Sequence, residues 1–393
     1  MTKKSDAPAI RFKGFSDAWE QRKLGDVVKE ITRNDPESEA PIMMITANNG
    51  FIEQSERYAF NNAGESLKKY ILLKKGELAY NHGASKLRPY GSCFALTTAE
   101  NARIPFVYHC FAAENQNAEF MSIELNGAEI ENQLRKIVSS GARMDGLLNI
   151  SFDEYTSVSV ILPGTEEQDR IADFFRHLDN LITLHQRKFE KLTNVKKSML
   201  EKMFPQNGSS YPEIRFKGFT DPWEQRKVQD VADRFDNLRI PVAANLRVHG
   251  TTPYYGANGI QDYVEGFTHD GEFVLVAEDG ANDLKNYPVK CVNGRIWVNN
   301  HAHILQGKAG IADNSFLAFA ISQSDIESLL VGGGRAKLNA ETLMSIEFRL
   351  PCLQEQYRIG EYLTQLDHLI TLHQRELEKL QNIKKSMLEK MFV

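Results

Sequence analysis

The sequence predicts a mixed α/β (α+β) protein in which two variable segments alternate with two long helices. The helices are expected to pair as an antiparallel coiled coil, and the chain to form a pseudo-twofold internal repeat. Three observations predict this fold class: a short motif recurs in mid-chain, a long helical motif recurs at the end, and the segments between them differ. Similar frames with different inserts predict two distinct surfaces related by one approximate symmetry operation.

The two recurring motifs define the frame of the repeat. The front motif is the hexamer Ile-Arg-Phe-Lys-Gly-Phe, which begins at Ile10 and again at Ile214, and both copies continue to a Trp-Glu-Gln-Arg-Lys segment. The helical motif extends from Leu178 to Phe204 and from Leu366 to Phe392, with 22 identities in 27 positions. The front motif recurs after 204 residues and the helical motif after 188, so the second insert is 16 residues shorter.

The helical motif predicts a long coiled-coil helix in each repeat. Its apolar positions have an average spacing of 3.5 residues over four heptads, which is typical of a coiled-coil seam. From Glu166 to Met203 such a helix is roughly 57 Å long. Pro163 and Pro205 mark the ends of the first helix, and Pro351 marks the start of the second. The order insert, helix, insert, helix favours antiparallel over parallel pairing.

The seam is expected to contain two matched sets of residues. They are Leu178, Ile182, His185 and Leu192 in the first helix, and Leu366, Ile370, His373 and Leu380 in the second. A histidine at the seam is interpreted as a polar residue that fixes the register. The alternative is a metal pair or a pH switch, but no supporting carboxylate or cysteine accompanies it. The basic residues of both helices are interpreted as solvated faces, with phosphate contact as the alternative.

Length and composition predict two or three domains at about 100–200 residues each. The expected boundaries are 1–162, 163–206 for the central helix, 207–350, and 351–393 for the C-terminal helix. The four cysteines form neither a CxxC pair nor a zinc-ligand spacing, so reduced thiols in a cytoplasmic protein are expected. The sequence contains neither a long apolar run nor an export signal, so contact with a membrane is not expected. The net charge of −5 restricts any binding of nucleic acid to local patches.

Both inserts contain short apolar runs separated by Gly and Asn, as mixed α/β segments do. The expected strands are 67–73, 77–80, 93–97, 107–110, 271–276 and 295–298, with a turn at 254–259. Each insert ends in a Gly-rich basic segment, which contains Arg143 in the first and Arg335, Lys337 and Asn339 in the second. Glycine lets a backbone approach a ligand closely, and Arg or Lys can contact phosphate or a guanine edge. The alternative is a flexible surface turn.

The sequence predicts no catalytic and no metal-binding residue. Walker, nucleophile-elbow, zincin and dinucleotide-binding motifs are absent, as is an adenine-methylase tetrapeptide. His301 and His303 are close in sequence, but no third ligand or base accompanies them. The chain is therefore not expected to act as an enzyme by itself.

This pattern resembles the specificity subunit of type I restriction–modification systems over essentially the whole chain. Its local marks are the Leu-Pro-x-x-Glu/Gln-Glu-Gln-x-x-Ile segments 162–171 and 350–359, the Pro-Tyr-Tyr-Gly-Ala-Asn-Gly segment 253–259, Asp279-Gly280, and Val-Asn-Asn-His-Ala-His at 298–303. The first insert keeps Gly76-Glu77 but lacks the Tyr-Gly and Asn-Asn-His marks. Its DNA-facing residues are accordingly harder to name.

The resemblance implies that the inserts are two target recognition domains, each of which reads half of a bipartite double-stranded DNA target, and that the helices set the spacer. It also implies two methyltransferase (modification) subunits that bind S-adenosylmethionine and methylate adenine, and restriction motor-nuclease subunits that use ATP and Mg; no cofactor is expected in this chain. The candidate DNA-binding residues are Lys86, Arg88, Arg143, Asn258, Asn300, Arg335, Lys337 and Asn339. Two alternatives are a coiled-coil scaffold whose inserts bind proteins and a free-standing nuclease, which the missing motifs disfavour.

Overall fold

A computed structural model describes residues 7–47, 49–57, 64–138, 147–332 and 336–392. The chain divides into two compact units. Unit 1 consists of Met1–Thr183 with Glu378–Val393, and unit 2 of Leu184–Leu377. Each unit therefore contains one insert and a part of each long helix.

Unit 1 is built mainly from short strands. They are β1 Glu20–Lys23, β2 Val28–Glu30, β3 Met43–Thr46, β4 Gly50–Glu53, β5 Ile71–Lys74, β6 Leu78–Asn81, β7 Ser92–Ala95, β8 Asn101–Ile104, β9 His109–Ala113 and β10 Ser159–Leu162. Its helices are α1 Ala118–Leu125, α2 Ala128–Ile137, α3 Phe152–Thr156 and the first half of α4 Thr165–Met203.

An antiparallel sheet with the strand order β2-β9-β6-β7 lies at the centre of unit 1. Both of its faces are buried. Leu78 and Tyr80 of β6 pack in the cluster that contains Phe120 of α1, whereas Ala79 between them packs in a second cluster with Leu73 and Ile104. This alternation follows from the two-residue period of a strand. The β3–β4 and β5–β8 pairs accompany the central sheet.

Unit 2 contains longer strands, several helices of its own and the second half of α4. The strands are β11 Glu224–Lys227, β12 Ala232–Arg234, β13 His249–Gly256, β14 Gly259–Val264, β15 His269–Ala277, β16 Val289–Val298, β17 Ala302–Gly307 and β18 Glu347–Leu350. The helices are α5 Val228–Val231, α6 Asn314–Ser322, α7 Ala340–Ser345 and α8 Leu353–Lys390, whose last residues belong to unit 1.

The central sheets of the two units have the same topology. Unit 2 has the order β12-β17-β15-β16-β13-β14, and its first four strands correspond to β2-β9-β6-β7 of unit 1. The registers agree as well, because Phe111 pairs with Glu30 and Leu78 while Leu305 pairs with Arg234 and Val274. Helices α1 and α6 also begin alike, since the side chains of Asn117 and Asp313 cap them by accepting from Phe120 N–H and Phe316 N–H. Two inserts without sequence likeness thus share one scaffold.

The structure corrects two of the expected insert elements. The segment 64–69 is a 3-10 helix, and the strand expected at 67–73 begins only at Ile71. Tyr254 and Tyr255, expected in a turn, belong to β13, where their backbones pair with β14 and β16 and both rings are buried. Only Ala257 and Asn258 connect β13 to β14, the two strands of one hairpin.

In each repeat, an arginine of the front motif forms an ion pair with a buried glutamate at the start of the long helix. Arg11 makes a bidentate ion pair with Glu167 at 2.7 Å, and Arg215 makes the equivalent pair with Glu355 at 2.7 and 2.8 Å. Both carboxylates are buried at 1% and 0% exposure. Strand β1 pairs with β10 and β11 with β18, again in the same register. The Leu-Pro-x-x-Glu/Gln-Glu-Gln segments therefore stabilise the frame, since their buried glutamates pair with the front motif.

Each unit is completed by the end of the other repeat's long helix. In unit 1, Phe392 after α8 packs against Trp19 and Phe120, with ring centroids 6.2 and 5.6 Å apart. In unit 2, Phe204 after α4 packs in the same way against Trp223 and Phe316, at 6.0 and 5.5 Å. The front motifs add equivalent backbone bonds, from the N–H of Ile10 to Lys390 O and from that of Ile214 to Lys202 O.

The predicted fold class, including antiparallel pairing of the long helices, is confirmed. In unit 1, Lys384 near the end of α8 forms an ion pair with Asp179 of α4 at 2.5 Å. In unit 2, Lys196 near the end of α4 forms the equivalent 2.5 Å pair with Asp367 of α8. Early residues of each helix thus face late residues of the other. These lysines are also part of the basic helix faces, whose charge is in part neutralised within the chain.

The structure places the expected seam residues as follows. Leu178 and Leu366 are buried in the cores of units 1 and 2, at 7% exposure each. The other six, Ile182, His185, Leu192, Ile370, His373 and Leu380, are half-buried. His185 and His373 contact each other through their Nδ1 atoms, 3.1 Å apart. Burial and the neighbouring His185 and Lys188 lower the pKa of His373.

The described residues include no helix long and apolar enough to cross a membrane. All four cysteines are free thiols, with Cys93 and Cys110 buried in unit 1. Burial raises the pKa of the Cys93 thiol to about 12. A thiol held in its neutral form by burial behaves as a small apolar side chain in a core.

Replacement of Phe204 by Ala should destabilise unit 2 by about 3–5 kcal/mol, because it removes a buried ring and leaves a cavity beside Trp223. Urea unfolding followed by fluorine NMR of fluorotryptophan separates the two units, since Trp19 lies in unit 1 and Trp223 and Trp297 in unit 2. The control is Leu388→Ala, at a residue 36% exposed, which should change stability by less than about 1 kcal/mol. An equal shift of the Trp19 and Trp223 signals in Phe204→Ala would contradict the assignment of Phe204 to the core of unit 2.

Candidate nucleic-acid interface

Segments that are distant in the sequence of unit 2 meet at one place. Asn299 N–H donates to Tyr255 O at 3.1 Å, Glu278 N–H to His301 O at 2.9 Å, and Leu338 N–H to Glu278 O at 2.7 Å. These bonds join segments 253–259, 278–287, 298–303 and 336–339, which together form the unit 2 site. Three of the sequence marks lie here, together with residues 336–339 of the second Gly-rich basic segment.

Asn258 holds a loop of this site in position. Its Nδ2 donates to Gly280 O and its Oδ1 accepts from Asn282 N–H, both at 2.9 Å. The loop is further ordered by Asp283, whose Oδ1 accepts from the N–H groups of Lys285 and Asn286. Asn258 was expected to contact DNA, but its amide is engaged with the backbone of the loop between β15 and β16.

The other candidates of unit 2 differ in their surroundings. Asn300 is exposed in the connection between β16 and β17. Asn339 is exposed at the N-terminus of α7, where its carbonyl accepts from Leu343 N–H. Lys337 is half-buried and forms an ion pair with Glu278 at 2.8 Å. Arg335, like Arg143 in unit 1, lies outside the described residues.

Lys337 belongs to a network of partly buried charges. Glu278 accepts from Lys337 and, at 2.6 Å, from Arg239, while Asp236 lies 2.7 Å from Nδ1 of His303. Burial opposes ionisation of Glu278, but hydrogen bonds from Lys337 and Arg239 outweigh it and lower the pKa of this carboxyl group. The pKa of Asp236 is lowered in the same way, against burial, by His303 and Ile304 N–H. The hydrogen bond to Glu278 raises the pKa of Lys337.

Unit 1 has a site at the corresponding end of its sheet. Leu148 N–H donates to His82 O at 2.9 Å, and the ring of His82 contacts Leu148 O and Val107 O at 2.8 and 2.7 Å. His109 lies with Nε2 3.0 Å from Ile150 O. The unit 1 site thus comprises residues 82–91, 105–109 and 147–150.

The unit 1 candidates lie in the loop between β6 and β7, which corresponds to the β15–β16 loop of unit 2. Lys86 is exposed there, next to Leu87 at 64% exposure. Arg88 is half-buried and donates from Nη1 to Asn126 O at 2.7 Å. This hydrogen bond gives Arg88 a structural contact, and Lys86 is the more accessible cation.

Exposed amides and cations of this kind can bind phosphates and base edges. Within the part of the chain that the structure describes, no group of three or more His, Cys, Asp or Glu side chains could hold a metal ion. Sequence reasoning missed the residues that support the exposed ones, namely His82, His109, Asp236, Arg239 and Glu278. A usable signal existed only for the two histidines, since His82 directly follows the apolar strand β6 and His109 begins the apolar strand β9.

A family model matches the second half of the chain. Residues 220–382 match the family described as "Type I restriction modification DNA specificity domain". A putative type I restriction enzyme specificity subunit of Haemophilus influenzae, S.HindORF215P, is 41% identical over 163 residues, which are 42% of this chain and 42% of that protein. The MjaVIII specificity subunit of Methanocaldococcus jannaschii is 21% identical over 286 residues, 64% of this chain and 65% of its own. The matches thus span 42% and 65% of these relatives.

A solved structure shares the fold over nearly the whole chain. The type I restriction–modification system S subunit from M. genitalium aligns with 98% of this chain and 99% of its own, with a TM-score of 0.66 and 12% identity. This likeness shows that the two chains share a fold, and the sequence matches are to the family that the sequence pattern resembles.

Acid should weaken unit 2 through Asp236 and Glu278. Because their folded-state pKa values lie below the ordinary 3.8 and 4.5, their stabilisation is present above those values and is lost as the pH falls through the lower, folded-state values. The stability of unit 2, followed at Trp223, should therefore fall between about pH 5 and pH 3, and less steeply in a double Asp236→Asn, Glu278→Gln variant. Glu327→Gln, at an exposed carboxylate, should keep the wild-type slope. Identical slopes for wild type and the double variant would refute the role of the network.

Proposed function

We propose that this chain, whose residues 220–382 belong to the type I restriction modification DNA specificity domain family, is the specificity subunit of a type I restriction–modification enzyme. The proposal depends on one observation: two units with the same strand order and register carry different loops at the same end of the sheet. A constant scaffold with variable loops suits a protein that reads two different half-sites of a bipartite DNA target.

The side chains of both sites support contact with DNA. Lys86 in unit 1 and Lys337 in unit 2 supply positive charge, and Asn300 and Asn339 supply exposed amides that can bind the edge of adenine. Contacts to phosphate position a protein on DNA, while contacts to bases carry sequence information. With a net charge of −5 over the chain, DNA binding has to come from such local groups.

The paired helices are proposed to set the number of unread base pairs between the half-sites. The helices contain 39 and 38 residues, or roughly 57 Å at 1.5 Å per residue. Half-sites on one face of B-DNA are about 34–36 Å apart. The equivalent ion pairs Lys196–Asp367 and Lys384–Asp179 fix the pairing register within each unit.

Partner subunits are proposed to supply the chemistry. Two methyltransferase subunits with S-adenosylmethionine would methylate adenine, and restriction subunits with ATP and Mg would cleave; this chain would hold no cofactor and act in the cytoplasm. The helices retain exposed apolar residues for such contacts, since Leu181, Leu184, Leu369 and Leu372 are 44, 46, 41 and 45% exposed. These leucines occupy matching positions of the two repeats, and exposed apolar surface is typical of protein interfaces.

Exchange of residues 24–158 for the insert of another specificity subunit should change one half-site and leave the other unchanged. The exchange leaves intact the β1–β10 pair and the Arg11–Glu167 ion pair. Genome-wide mapping of methylated adenine in cells with the hybrid enzyme provides the measurement. The matched control exchanges residues 228–346, between β11 and β18, and should change only the other half-site. A change of both halves in either hybrid would contradict independent reading, and a wild-type enzyme without sequence preference would favour the protein-binding scaffold.

Insertion of four residues after both His185 and His373 should lengthen the unread spacer by one or two base pairs. Four residues add about 6 Å of helix, and DNA rises about 3.4 Å per base pair. Because both helices lengthen at the level of the histidine contact, the ion pairs on either side are retained. Both half-sites should keep their sequences in methylation mapping. The same insertion in α4 alone separates the paired residues and should impair methylation. An active double-insertion enzyme with an unchanged spacer would show that the helices do not set it.

A further inference from the structure

The loop between β6 and β7 and the loop between β15 and β16 share one short sequence pattern, although the two inserts have no overall likeness. Residues 83–90 and residues 280–287 both read Gly-Ala-x-x-Leu-Arg/Lys-x-Tyr. The strands that flank the two loops correspond in the common strand order. The pattern therefore occupies the same place in both units, within the unit 1 site and within the unit 2 site.

The tyrosine of the pattern attaches each loop to its unit. Tyr287 is buried in the core of unit 2, and its hydroxyl group donates to Ala277 O at 2.9 Å. Tyr90 packs against the core of unit 1, and its carbonyl group accepts from the hydroxyl group of Tyr80 at 2.6 Å. Each loop is thus fixed to its sheet three residues after the leucine of the pattern.

The leucine of the pattern, in contrast, is exposed in both loops. Leu87 is 64% exposed and Leu284 is 37% exposed. A single exposed leucine is ordinary on a protein surface, but here the same side chain is exposed at the same place in two inserts that differ elsewhere. The repetition indicates a contact that both units make with another molecule, rather than packing within the unit.

Hydrogen bonds within each loop hold the exposed leucine in position. In unit 1, Ser85 N–H donates to Arg88 O at 3.0 Å, and Arg88 N–H donates to Ser85 Oγ at 3.1 Å. In unit 2, Oδ1 of Asp283 accepts from Lys285 N–H at 3.0 Å. A side chain on an ordered loop loses less conformational entropy on binding than one on a loose loop. Both leucines are therefore prepared for a contact of fixed geometry.

A cation follows directly after the leucine in both loops. Arg88 is half-buried, and Lys285 is exposed. Positive charge beside an apolar side chain is complementary to the major groove of DNA, where phosphates flank the base edges and the 5-methyl group of thymine is the apolar feature. The adenine that the proposed function requires pairs with a thymine, so the target contains such methyl groups.

We propose that Leu87 and Leu284 are specificity residues, each of which contacts the 5-methyl group of a thymine in the half-site that its unit reads. The inference rests on the proposed function. Leu284, at 37% exposure, has only part of its surface free, which suits a lateral contact in the groove. Insertion between base pairs would have to unstack a base step, whereas contact with a methyl group leaves the stack intact.

The test removes the thymine methyl group by replacing thymine with deoxyuridine, which keeps every hydrogen-bonding group of the base. The enzyme is reconstituted with methyltransferase subunits, and its affinity is measured by competition between duplexes that carry the mapped target with one thymine replaced at a time. In each half-site, one replacement should weaken wild-type binding about fourfold, which is the effect of one buried methyl group.

Substitution of a leucine should abolish this methyl effect in one half-site only. Leu87→Ala should bind thymine and deoxyuridine duplexes equally at the half-site read by unit 1 and keep the difference at the other, and Leu284→Ala should do the reverse. Leu87→Met, which keeps an apolar side chain of similar volume, should retain the difference. Leu388→Ala, at a leucine that is 36% exposed outside both sites, should retain it in both half-sites.

Four results would overturn the inference. Two are a methyl effect that persists in both alanine variants and a wild type that is insensitive at every thymine. An alanine variant that binds all duplexes more weakly but still distinguishes them would favour insertion into the base stack. Weaker assembly with the methyltransferase subunits and an unchanged methyl effect would assign the leucines to a protein contact.

The same measurements separate the inference from the proposed function. Wild-type enzyme without any sequence preference would refute the proposed function itself. Sequence-specific binding by the wild type, without coupling between leucine and methyl group, would refute the inference alone.

Discussion

The exchange of helix ends between the repeats is the contact on which the rest of the structure depends. The core of unit 1 contains Phe392 from the second repeat, and that of unit 2 contains Phe204 from the first, each against a tryptophan of the front motif. Burial of such a ring is worth several kcal/mol, so neither insert completes its core with its own repeat alone. The long helices have to pair antiparallel because their ends are fixed in this way.

The frame is constant for a physical reason. Glu167 and Glu355 are buried and need the arginine of the front motif, since removal of one partner from a buried pair costs about 3–5 kcal/mol. Gln168 and Gln356 satisfy the carbonyls of Pro163 and Pro351. The two inserts differ in sequence, yet their central sheets keep one strand order and register. The proposed recognition of DNA by the loops needs this separation between a constant frame and variable loops.

At both sites, the residues that hold the loops in place differ from those that are exposed to solvent. Asn258, Arg88 and Lys337 make contacts within the chain, whereas Lys86, Asn300 and Asn339 are the exposed groups. The charges of Arg239 and Lys337 are balanced by Glu278 and Asp236. A charge that is already paired contributes less to the attraction of DNA than its position in the sequence suggests, but it holds the neighbouring backbone in place.

The sequence by itself determined the repeat, the two long helices, both ends of the first and the start of the second, because a 3.5-residue period and flanking prolines are local signals. It also identified the short motifs 253–259, 279–280 and 298–303 that lie at the unit 2 site, because the residues within each motif are close in the chain. Only the tertiary structure decided that the inserts share one register, because strands of four residues with both faces buried show no alternation. It alone decided the supporting contacts as well, since Lys337–Glu278 and His82–Leu148 join residues 59 and 66 positions apart, a separation at which no local pattern identifies a partner.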